Sequence, residues 1–181
     1  MQTEQRKEIE HRLEQSRQVV SKAVLNLADH QWRFAPPEGG WTIAQCLEHV
    51  TYIETRIIDG LARTMKSKPA DSSLIERLAG KEELLKDRIP GRMTKVVMPP
   101  IFDYPQGTKP GDKLIAEFDQ ARDRSVRFLM DTPEDIRTWA FDHAFFSTLH
   151  GGQWMWMIAL HAERHAAQMD EVRGLAEFPA A

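Results

Sequence analysis

Two histidines four residues apart, His161 and His165, lie in the run Trp154 to Val172, WMWMIALHAERHAAQMDEV. Good helix formers with no Gly or Pro among them predict a helix over this run. At about 100° per residue, Trp154, Met157, Ile158, His161, His165, Gln168, Met169 and Val172 share one stripe, and an apolar stripe faces the core. Two imidazoles one turn apart then point inward, where a polar group left without a partner costs on the order of 1–3 kcal/mol. One partner that meets both is a divalent metal ion, because His at i and i+4 on a helix presents two nitrogens to one cation. The other reading is a pair of core histidines bonded to carbonyls or neighbouring side chains.

The surrounding text narrows the chemistry. In His161-Ala162-Glu163-Arg164-His165 the glutamate comes one residue later than the general base of H-E-x-x-H, about 100° further round the helix. A ferritin-like carboxylate site needs two E-x-x-H helices, and Glu8 to His11 is the only copy. Cys46 is the sole cysteine, so any metal here has nitrogen or oxygen ligands and no intrachain disulfide forms. A formal charge of −3 with 28% charged residues of mixed sign gives no basic footprint for nucleic acid. The charged N-terminus and the lack of an 18-residue apolar run point to a cytoplasmic protein without a membrane partner.

The elements that must position these side chains follow from the hydrophobic pattern. A chain of 181 residues is expected to form a single domain, 1–181, burying about 70% of its extended surface. Residues 4–29 predict an amphipathic helix with Ile9, Leu13, Val20, Ala23, Val24 and Leu27 inside, Thr3 as its cap, and His11 and His30 on the surface. Thr42-x-x-Gln45 is a capping box that opens a second helix to about Met65. Its stripe is Ile43, Cys46, Leu47, Val50, Ile53, Ile57, Leu61 and Met65, with His49 at the edge and Glu48 about 100° away from His49. Residues 67–111 are broken by Pro and Gly, with one helix expected over Ser73 to Arg88 and an extended apolar patch over Met93 to Tyr104. Such a segment reads equally as a lid or as a long crossover. A third long helix spans Asp112 to Met130, its outer face including Asp119, Arg122, Asp123, Arg124 and Arg127. Thr132-Pro133-Glu134 starts a short turn, and a turn-rich bridge, Phe141 to Gly152, uses Gly151-Gly152 to reverse into the last helix.

Four long helices with one crossover between the second and third make an all-α four-helix bundle, where metal sites lie between facing helices. A third nitrogen from His49 would then complete a three-histidine face. Tyr104, His143 and His150 are candidates to line its mouth.

Gly40-Trp41-Thr42, Gln45-Cys46-Leu47-Glu48-His49-Val50 and His161-Ala162-Glu163-Arg164-His165-Ala166-Ala167-Gln168 resemble the paired motifs of the DinB-like (YfiT-like) superfamily of metal-dependent enzymes. The roughly 110-residue gap between the motifs and the mid-chain crossover are similar too, so the resemblance spans nearly the whole chain. It implies a four-helix bundle, a divalent metal on His49, His161 and His165, and a homodimer. Characterised relatives include S-transferases and isomerases that use low-molecular-weight thiols, while most members have no assigned reaction.

Three neutral imidazoles leave a cation's charge uncompensated and coordination positions open, the pattern of a catalytic site. Zinc or nickel suits nitrogen ligands. No general base is assignable. Gln168 either orients a ligand histidine or binds substrate, or else it simply caps the core. The expected function is therefore a metal-dependent enzyme acting on a small molecule, a thiol S-transferase or hydrolase. The alternative is a non-catalytic metal- or ligand-binding module, with Trp154, Met155 and Trp156, too broad for one core stripe, serving as a dimer face. A third reading keeps all three histidines as core polar residues without metal.

Overall fold

In the computed structural model, residues 1–70, 72–91 and 104–180 are described, and the segment expected to be extended over Met93 to Tyr104 lies, up to residue 103, outside them. The described chain is mostly helical: α1 (Thr3–Ala23), α2 (Asp29–Trp32), α3 (Ile43–Thr64), α4 (Ser73–Arg77), α5 (Lys81–Arg88), α6 (Gly111–Asp131) and α7 (Gly151–Arg173). A 3-10 turn at Ile136–Thr138 leads into an antiparallel hairpin, β1 (Ala140–His143) and β2 (Ser147–His150), with Ala140 opposite His150.

Helix α1 buries Ile9, Leu13, Val20 and Ala23, the expected stripe. It is preceded by Gln2 with no side-chain cap, so Thr3 is its first residue and not its cap. It also stops earlier than residue 29, because Asn26 takes φ 57°, a left-handed conformation that ends a helix and that Asn tolerates well. Helix α3 starts as its capping box requires. Thr42 Oγ1 accepts from the Gln45 backbone N–H at 3.1 Å, and Gln45 Oε1 accepts from the Thr42 N–H at 2.9 Å. The single helix expected over Ser73 to Arg88 is two, because Gly80 sits at φ 80° between α4 and α5. The turn expected from Thr132 begins instead behind Asp135, whose carboxylate accepts from the Arg137 N–H.

The long helices pack in four pairs: α1 on α7, α3 on α6, α3 on α7, and α1 on α6. Two apolar clusters fill the space between them, one around Leu13, Leu61, Leu129 and the Trp154–Leu160 run, the other around Val20, Ile43, Leu47, Phe118, Ala166 and Met169.

Three expectations, two about exposure and one about chain path, are corrected. Every residue from Gly151 to Leu160 is buried, so Trp154, Met155 and Trp156 form no free dimer face. The 3-10 turn, β2 and α5 cover the sides of α7 that the other long helices leave open. Apolar all round, this stretch is fully interior, as such helices are. Gly151 and Gly152 are the first residues of α7 and not a reversal: a Cβ at Gly151 would collide with the Ile136 carbonyl oxygen, so glycine permits the close approach. Arg122 is not on a solvated face. It follows Phe118 by one turn on the inner stripe and is fully buried, paired to Glu54 of α3.

Candidate metal centre

His49 lies in the second turn of α3, and His161 and His165 lie on consecutive turns of α7. The packing of these two helices brings all three rings together. One ligating nitrogen from each falls within 4.8 Å of the other two. His161 Nε2 is central, 3.3 Å from His49 Nε2 and 3.1 Å from His165 Nε2. A tetrahedron with zinc–nitrogen distances of about 2.0–2.1 Å places its nitrogens about 3.3 Å apart, so these separations suit a shared cation.

Proton accounting points the same way. His165 Nδ1 is 2.9 Å from Gln168 Oε1, which accepts its proton and leaves the Nε2 lone pair facing the cluster. A proton on His161 Nε2 must then be split between two acceptors or leave one contact unpaired. A cation takes all three lone pairs at once. Burial lowers the pKa of His49 from 6.5 to about 4. His161 is held well below its ordinary value, first by burial and then by the neighbouring His165, His49, Arg164 and His143. The rings of both are therefore neutral at pH 7, the form that ligates.

The environment is aromatic. Trp41, one residue before the Thr42 cap, lies nearly parallel to His165 with ring centroids 5.8 Å apart and an interplanar angle of 17°, and packs on His49 at 4.7 Å. Its Nε1–H donates to the Tyr104 hydroxyl at 2.8 Å, placing Tyr104 at the rim, where it is largely exposed. Neither neighbouring carboxylate enters the cluster. Glu48 accepts from the Gly107 N–H at 2.7 Å, and Glu163 accepts from Arg12 of α1 at 2.7 Å.

The two loop histidines part company. His143 Nδ1 accepts from the Phe145 and Phe146 backbone N–H groups, and burial lowers its pKa to about 4. It stands near enough to His161 to act on it electrostatically. His150 belongs to another site: its Nδ1 caps α7 by accepting from the Gln153 N–H, and its Nε2 faces Glu82 at 3.3 Å. Cys46 is buried one turn before His49. Trp41 is the neighbour that sequence reasoning assigned no role at the site, although its place next to the capping box, eight residues before His49, was the available signal.

The sequence model of the DinB superfamily matches residues 12–169. The uncharacterized protein YuaE of Bacillus subtilis (strain 168) is 24% identical over 148 residues, covering 81% of this chain and 86% of YuaE. No solved structure matches significantly. No helix among the described residues is long and apolar enough to cross a membrane.

Proposed function

The chain belongs to the DinB superfamily, and on that premise we propose that it is a divalent-metal-dependent enzyme of small molecules, built as a four-helix bundle of α1, α3, α6 and α7 with the α4–α5 segment in its crossover. The observation that carries the reading is the convergence of three Nε2 atoms at 3.1 and 3.3 Å on a central His161. His49, His161 and His165 hold the ion, with zinc or nickel the metals that suit three imidazoles. When bound, it supplies Lewis acidity sufficient to deprotonate a water or a thiol near neutral pH.

The chain's own residues do the rest. Gln168 fixes the tautomer and tilt of His165. Burial keeps His49 and His161 deprotonated, so little proton displacement opposes loading at neutral pH. Three neutral ligands add no negative charge, which favours an anionic reactant, a thiolate or hydroxide, in the open positions. Glu48 and Glu163 are engaged elsewhere and serve as no base. The reaction class that fits is thiol S-transfer, with a low-molecular-weight thiol as second substrate, or hydrolysis. The same lack of a carboxylate in the cluster favours, as second reading, a module that binds metal or ligand without turnover.

Elemental analysis of protein purified without chelators is the test. About one zinc or nickel per chain is expected, with none in His161→Ala. Wild-type protein that holds no metal and takes up none on titration refutes the reading. Turnover of thiol-acceptor or ester panels that depends on added metal separates the enzyme from the binding module.

A further inference from the structure

His49 and His165 are ligand candidates on facing helices, but their rings are fixed in different ways. His165 has Gln168 on its Nδ1. His49 Nδ1 is buried and has no hydrogen-bond partner among the described residues. Metal-ligating histidines almost always donate that second nitrogen to a neighbour, which sets the ring's angle and tautomer. For His49 no polar group among the described residues does so, and packing is what they supply. Trp41 supplies it, with its indole 4.7 Å from the His49 ring and, at 17° from parallel, 5.8 Å from His165. One rigid side chain thus contacts two of the three converging imidazoles.

The indole is itself held on several sides. Gly39 and Gly40, at φ 82° and 123°, bring the chain in through conformations that favour glycine, and the Thr42 capping box fixes the residue that follows. Trp41 Nε1–H is tied to the Tyr104 hydroxyl. Tyr104 begins a strap bound to the start of α3: Gln45 Nε2 donates to the Pro105 carbonyl at 3.1 Å, and the Gly107 N–H donates to Glu48 at 2.7 Å. Gly107 runs so close that a Cβ there would stand 2.7 Å from Gln45 Cγ. The strap therefore has a defined seat, and the indole a defined anchor.

We infer that Trp41 is a positioning residue of the metal centre, an indole clamp that aims the His49 and His165 nitrogens at a common point and is itself held by the Tyr104 strap. The inference rests on the metal reading above and adds to it a part for Trp41 and Tyr104. The clamp stands in for the hydrogen bond that His49 lacks. It also links the occupancy of the centre to the seating of residues 104–107, since displacing the strap frees the indole.

The test compares Trp41→Leu, Trp41→Phe and Tyr104→Phe with wild type by zinc competition against a chromophoric chelator. It is paired with long-range 1H–15N spectra of the chelated proteins, which read the tautomer and ordering of each imidazole. Trp41→Leu keeps apolar volume but loses the flat wall, and is expected to weaken zinc binding by about 10–100-fold, the usual effect of losing a ligand's support. Trp41→Phe restores most of it, and Tyr104→Phe, which removes only the anchor oxygen, falls between. In the chelated protein, Trp41→Leu is expected to average the His49 and His165 signals while leaving His150 unchanged. A tryptophan that merely fills space would lower the melting temperature and move neither readout. Zinc affinity within twofold of wild type in Trp41→Leu, with unaltered imidazole spectra, overturns the inference and leaves the metal reading standing. If wild type takes up no zinc, the metal reading fails, and the imidazole spectra alone decide whether Trp41 orders the rings.

Discussion

Replacing Glu54 by Gln removes one charge from the buried pair that ties α3 to α6 and α1. Arg122 is fully buried and Glu54 is 2% exposed. Arg122 Nε and Nη2 donate to the two Glu54 oxygens at 2.9 and 3.0 Å, Ser125 Oγ donates to the same carboxylate at 2.7 Å, and Arg122 Nη1 reaches Ser16 Oγ and the Leu13 carbonyl. Gln is nearly isosteric but faces the guanidinium with an NH2 group and no charge, so a buried cation is left uncompensated. Breaking such a pair from one side costs about 3–5 kcal/mol. At about 2–4 °C per kcal/mol for a chain of this size, the melting temperature should fall by about 6–20 °C. The paired replacement Glu54→Leu with Arg122→Met removes both charges and is expected to recover at least about 2 kcal/mol of that loss, because the desolvation penalty goes with them. Urea denaturation of wild type, Glu54→Gln and the double variant compares the three stabilities directly. A loss below about 1 kcal/mol in Glu54→Gln, or a double variant no more stable than the single, would refute the reasoning.

Other outcomes bear on the histidine cluster itself. Zinc at 100 times its Kd should stabilise wild-type protein by about 2.7 kcal/mol over chelated protein, and His161→Ala should show no such increment; calorimetric scans with and without chelator compare them. Gln168→Ala should weaken zinc binding by about 10-fold with little change in chelated stability, measured by competition titration, since it frees the His165 tautomer. In chelated protein, the unfolded chain protonates His49 below about 6.5 while the fold keeps it neutral to about 4. Stability present above pH 6.5 is therefore lost as pH falls through that window, by about 2 kcal/mol at pH 5 from His49 alone. Urea titrations at pH 7.5 and 5 should show that part of the slope vanish in His49→Gln, and an unchanged slope would mean that His49 is solvated in the folded chain.

What the sequence revealed was what helix periodicity and local capping encode. The Thr42-x-x-Gln45 box, the inner stripes of α1 and α3, and the shared face of His161 and His165 depend on spacings of three and four residues, which any reader of the chain can count. The features missed depend on partners distant in sequence. Arg122 reads as one of several charges on a polar run until Glu54, 68 residues earlier, is known to face it. Trp154 to Trp156 look too broad for a core because the turn, hairpin and α5 that cover them are assembled from short elements with little periodicity. His150 looks like a loop histidine until β2 is seen to end on it and α7 to begin, which makes it a cap. The split between α4 and α5 was marked by Gly80, but a single glycine in a helical pattern does not declare its φ.

Two of the buried polar clusters, one around Arg122 and one around His161, differ in the way that separates structure from function. Glu54 follows His49 by five residues on α3, about 7.5 Å along the helix axis, so both clusters are built on one scaffold. Around Arg122 the groups match: its Nε, Nη1 and Nη2 all find oxygen acceptors, and Glu54 receives three donors. A cluster with every group satisfied has nothing to offer a ligand and can only hold helices in register. Around His161 the groups do not match. Three nitrogens meet at contact distance, one of the two facing pairs cannot be fully served by a single proton, and the outer nitrogen of His49 is idle. A buried polar group without a partner is costly, so a fold that satisfies Arg122 and Glu54 fully while the outer nitrogen of His49 has no partner among the described residues supports the proposed cation at this cluster. That asymmetry, more than the presence of histidines, is the argument for placing function at His49, His161 and His165.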